Sequence, residues 1–86
     1  MREGQGQLYT DLFDKTRGIL VESKGAVTRE SIRMAIGQLF DYQRFIEPKP
    51  GLAVLLPTLP RDDLLDLLRG LRITVIHRDG DAFLER

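Results

Sequence analysis

Apolar and polar residues follow different rhythms along the chain, and each rhythm predicts an element. Residues 7–14 (QLYTDLFD) mix leucine, threonine and aromatic side chains and predict a strand; residues 19–24 (ILVESK) predict a second. Between them, Asp14-Lys15-Thr16-Arg17-Gly18 is a polar turn closed by glycine, so the two strands predict a hairpin. Gly25 ends the second strand. Apolar residues then recur at 32, 35, 36, 39, 42 and 46, the 3.6-residue spacing of a helix. Thr28 is a suitable N-cap and Glu30 suits the first turn, where the helix dipole favours an acid. Pro48 and Pro50 bias the chain away from helix, so this helix should fade near Phe45 and Ile46.

Residues 52–56 (LAVLL) are apolar at every position, the pattern of a central strand covered on both faces. Pro60 suits the first position of a second helix, with Asp62 and Asp63 in its first turn. Leu64, Leu65, Leu67, Leu68 and Leu71 form its apolar stripe, and Gly70 is its expected break. Residues 73–76 (ITVI) predict another buried strand, and Asp79-Gly80 a turn into a short last strand over 82–85. The order β-β-α-β-α-β, with a C-terminal hairpin, predicts a single α/β domain over 1–86 with a mixed sheet. Its compact βαβ unit implies parallel pairing. Residues 1–6 are expected to be flexible or to extend a strand.

A chain of 86 residues builds only a thin core, which favours a partner subunit. The absence of cysteine excludes disulfides and thiolate metal sites and fits a reducing cytoplasm. No apolar run is long enough to span a bilayer, and the segment MREGQGQ lacks the apolar core of a signal peptide. The formal net charge is zero, which argues against a generic nucleic-acid coat protein. Residues 15–49 nevertheless hold seven basic against four acidic side chains, a locally basic middle.

The candidate chemistry lies at the end of the second strand. Glu22 and Lys24 are two apart and therefore share a face with Leu20. A hairpin closed with Phe13 opposite Gly18 puts Asp11 opposite Leu20, on that same face. The diagonal from Asp11 to Glu22 is then roughly 7–8 Å between backbone positions. Two carboxylates at that separation can share a hard cation such as Mg²⁺ (or Mn²⁺), with the Ser23 carbonyl as a third oxygen ligand. Lys24 then stands beside the attacking water, able to orient it or to stabilise charge building up on a phosphate.

An Asp, a turn, an apolar strand ending in Glu-x-Lys and a following helix resemble the PD-(D/E)XK nuclease superfamily. Its fold is the restriction-endonuclease-like one. Gln38 and Tyr42 in QLFDY match the Q-x-x-x-Y spacing that follows the site in RecB-like branches, and four residues apart they share a helix face. Residues 8–78 also resemble the C-terminal part of uncharacterised actinobacterial nuclease-like proteins. The resemblance implies a Mg²⁺-dependent phosphodiesterase acting on DNA, with Asp11 and Glu22 as metal ligands, Lys24 assisting catalysis, and Gln38 and Tyr42 supporting the site. The pattern departs at two points. Thr10 stands where the motif's proline would be, and the ten residues before Asp11 leave no room for the family's preceding helix and strand. That implies a truncated form, completed by a homodimer or by another chain.

Each of these residues also has a plainer reading. Glu-x-Lys alone is commonly a solvated strand end, and Gln38 and Tyr42 can be shoulder residues of an amphipathic helix. Asp14 competes with Asp11, but Asx chemistry suits it to the turn. Arg29 and Arg33 are candidate phosphate contacts or a solvated helix face. His77, the only histidine, is expected to be structural. The alternative to a nuclease is a non-catalytic remnant of the fold, serving as a dimerisation or partner-binding module.

Overall fold

The computed structural model describes residues 12–14 and 16–86. In chain order it contains β1 (Leu12–Asp14), β2 (Ile19–Ser23), α1 (Arg29–Gln43), β3 (Gly51–Leu56), α2 (Asp62–Gly70), β4 (Ile73–Asp79) and β5 (Ala82–Glu85). The strands form one mixed sheet in the order β1-β2-β3-β4-β5, parallel for β2-β3-β4 and antiparallel at both edges.

The two crossovers step in the same direction and put both helices on one face. Leu20, Leu52, Val54, Leu56, Ile73 and Val75 point to that face and join one buried cluster with residues of both helices. From α1 the cluster takes Ile32, Ala35 and Leu39; from α2 it takes Leu64, Leu65 and Leu68. Tyr42 and Ile46 pack at its margin. The apolar periodicity of both helices is thus spent on a single shared layer, α1 over β2 and α2 over β4.

Residues 52–56 do form a strand at the centre of the sheet, yet among the described residues helices cover it on one face only. On the other face Ala53 and Val21 are buried, while Leu55, Thr74 and Ile76 are half-buried. An all-apolar run cannot distinguish these cases, because a small residue such as Ala53 is shielded by neighbouring strands.

Local chemistry sets the boundaries. The Thr28 hydroxyl accepts a hydrogen bond from Ser31 N–H at 3.1 Å and caps α1 as expected. The end of α1 is tied to the start of β3 by Gln43 Nε2, which donates to Pro50 O at 2.7 Å. Helix α2 differs from expectation at its start and ends at Gly70 as expected. Its cap is Arg61, in an extended conformation, so Pro60 precedes the cap instead of opening the helix. Gly70 is its last helical residue, and Arg72 is the residue that turns left-handed, at φ 61°. Leu67 and Leu71 fall off the buried stripe and are exposed.

The first hairpin is closed with Phe13 opposite Leu20, not opposite Gly18. Gly18 is a loop residue: its φ of 66° is left-handed and its N–H donates to Asp14 O at 2.7 Å. The two-residue shift preserves the parity of the strands. The β4-β5 hairpin turns through Gly80 and Asp81, and a positive φ at Gly80 alone makes it a type II′ turn.

Candidate functional site

Strand β2 carries its polar end into the protein. Glu22 lies on the helix-covered face, directly beside Val54, and is only 4% exposed. Ladder pairing extends one residue past the strand end, because Lys24 N–H donates to Leu55 O at 3.0 Å. That bond holds Lys24 on the same face as Glu22. The Lys24 ammonium stands 3.6 Å from Glu22 Oε2, with its side chain 18% exposed. A carboxylate out of contact with water is costly unless it is met by cations or donors, and Lys24 supplies a positive charge at the rim of that burial.

Backbone alternation also orients Ser23. With the Lys24 N–H directed at β3, the polar groups of Ser23 turn to the β1 side. Its carbonyl therefore lies on the edge facing the first hairpin strand. Glu22 and Ser23 together offer hard oxygen donors of the kind Mg²⁺ or Mn²⁺ takes. Among the described residues, no three His, Cys, Asp or Glu side chains gather as a metal centre. Asp11 lies outside the described residues. Asp14, its rival, belongs to the opposite face, across from Ile19, and its Oδ1 accepts Arg17 N–H at 3.1 Å as a turn cap.

The remaining candidates are dispersed. Gln38 and Tyr42 lie on the flank of α1, and Gln38 Oε1 and the Tyr42 hydroxyl are both buried. Only residues 24–28 join β2 to α1, so the first turn of α1 lies over the C-terminal end of β2. Counting from Arg29, Gln38 and Tyr42 are about 13 and 20 Å along the helix. Glu22, one residue from the end of β2, is therefore nearer the level of Gln38 than that of Tyr42. Arg29 is spent differently: its Nη2 is 3.5 Å from Asp63 Oδ2 and ties the start of α1 to that of α2. Asp63 also accepts two bonds from Arg61, at 2.9 and 3.0 Å, which hold its carboxyl below the usual carboxylate range. Arg33 is exposed on the outer side of α1, beside Glu30 and Met34.

Two features had no signal in spacing. His77 is buried on the same face as Glu22, paired with Leu56 at the end of β3. Its Nδ1 is 3.3 Å from Arg78 O. A carbonyl oxygen only accepts, so the contact calls for Nδ1 as the donor, and Nε2 is buried without a hydrogen bond among the described residues. The second feature is a cleft of about 200 Å³ bordered by Ser23, Lys24, Leu55, Pro57, Arg78 and Phe83. These residues come from separate elements and meet only through sheet pairing.

No protein-family model, curated protein or solved structure matches the chain.

Proposed function

We propose that this chain is a metal-dependent phosphodiesterase domain acting on DNA, built on a restriction-endonuclease-like arrangement. It would work as a homodimer. The observation that supports the reading is the buried Glu22 carboxylate with the Lys24 ammonium 3.6 Å away, at the end of a parallel strand. A solvated strand end would leave both side chains in water.

In this reading Glu22, the Ser23 carbonyl and Asp11 would hold Mg²⁺ or Mn²⁺. When bound, the ion supplies Lewis acidity at a phosphate oxygen and lowers the pKa of water. Lys24 faces the phosphate, orients the attacking water and balances the charge that grows on the nonbridging oxygens. The helix layer keeps bulk water from the inner side of Glu22, which strengthens each of these interactions. Gln38 is a positioning residue on α1, and Tyr42 supports the packing of that helix.

The test is calorimetric titration of Mn²⁺ into the wild type, Glu22→Ala and Asp11→Ala, followed by Mg²⁺-dependent nicking of plasmid DNA. Saturable binding that disappears in both variants, with nicking that follows it, is the expected result. A folded wild type that binds no Mn²⁺ would sink the proposal and leave the module reading.

A further inference from the structure

Strand β3 ends at Leu56, paired with His77, whereas β4 continues through Arg78 to Asp79 and is paired there only with β5. The β4-β5 hairpin therefore stands beyond the ends of β2 and β3 as a wall. The cleft lies between that wall and the strand ends. Its floor is apolar, from Leu55 and Pro57, and Lys24 borders it on the β2 side.

The wall presents a cation and an aromatic ring together. Arg78 and Phe83 are direct cross-strand partners and share the face away from the helices. Phe83 is 59% exposed, a large aromatic ring left in solvent. Arg78 spends its Nε on Gly80 O at 3.0 Å, which fixes the guanidinium over the turn. Among the described residues neither of its terminal nitrogens has a hydrogen bond, so both remain available to an anion.

We infer that this cleft is a subsite for an unpaired DNA strand. Phe83 stacks on a base, and Arg78 takes a backbone phosphate beside it. The inference rests on the phosphodiesterase reading and names its substrate class as single-stranded or frayed DNA. Lys24 and Phe83 border the same cleft, so one unpaired strand of a few nucleotides can reach both. Stacking requires a base already out of the duplex, because a paired base offers only its edge. The sequence-tolerant combination of cation and aromatic face is the one that single-strand binding uses.

The experiment is fluorescence anisotropy with a labelled single-stranded oligonucleotide in EDTA, so that binding is read without cleavage. An unlabelled duplex of the same length serves as competitor. Phe83→Ala should weaken binding about tenfold and Phe83→Trp should retain it, with indole fluorescence quenched by the stacked base. Arg78→Gln should weaken binding several-fold and reduce the salt slope by about one. The duplex should compete poorly. Thermal melting of the variants checks that the hairpin remains folded. Wild-type affinity in both Phe83→Ala and Arg78→Gln, equal competition by duplex, or no oligonucleotide binding by the wild type would each overturn the inference. Plasmid nicking by the wild type and by Glu22→Gln is measured in parallel. Nicking lost only in Glu22→Gln upholds the phosphodiesterase reading even if the cleft inference fails. Phe83-dependent binding without nicking by the wild type upholds the cleft and removes the phosphodiesterase.

Discussion

Glu22 on β2 and His77 on β4 occupy related places: both are buried, on the same helix-covered face, near the C-terminal ends of parallel strands. They reach burial by different means. Glu22 stands with an ammonium 3.6 Å away, held on its face by strand parity. His77 has no ion pair among the described residues and rests on one contact with Arg78 O. The difference follows from charge. An imidazole can enter an apolar layer neutral, whereas a carboxylate that stays ionised must bring compensation with it. A fold can therefore carry a His here as packing, but an ionised Glu only as part of a constellation.

The largest expected effect comes from breaking the compensated pair on one side. Lys24→Met should destabilise the protein by about 2–4 kcal/mol in urea denaturation, because it removes a cation beside the buried Glu22 carboxylate. Combining it with Glu22→Gln should recover much of that loss, since an amide carries no charge to desolvate. Additive losses in the double variant would mean that the two side chains do not act as a pair. At His77 the contrast should appear as tolerance. His77→Leu should change stability by less than about 1 kcal/mol, or raise it, because it removes a buried acceptor. Nitrogen chemical shifts of the wild type should show Nδ1 as the protonated site. A loss of several kcal/mol in His77→Leu would place His77 with Glu22 as an obligatory polar group.

The smallest effect is expected where the same kind of pair stands in water. Asp63 meets Arg61 and Arg29 at the surface, and Arg61 holds its carboxyl below the usual range. A depressed carboxyl contributes stability above its unfolded pKa and loses it as pH falls through the folded value. Asp63→Asn should therefore change denaturation at neutral pH only slightly, and less still at pH below the folded value. A carboxyl resonance titrating at the ordinary position would show that the Arg61 bonds do not persist in solution.

Much of the fold could be read along the chain because its elements are locally encoded. The cap at Thr28, the helical periodicity of Ile32, Ala35 and Leu39, and the turn at Gly80 each lie within a few neighbouring residues. The start of α2 differs from expectation for an equally local reason. Proline is compatible with the position before a cap as well as with the first turn, and Arg61 takes the cap. The register of the first hairpin required the geometry of its loop. Of the candidate site, the shared face of Glu22 and Lys24 follows from period two alone, and the pair is found there.

The sequence by itself determined the order of the elements, the single α/β class and the side of β2 on which an acid and a base would stand. Those depend on backbone periods and capping, which short stretches of chain set without help. Only the tertiary structure decided that the Glu22 end is buried, that both helices share one face, and that His77, Arg78 and Phe83 stand at the same end of the sheet as Lys24. Burial and proximity depend on which strands pair and where each one stops, and no residue's neighbours in the chain contain that information.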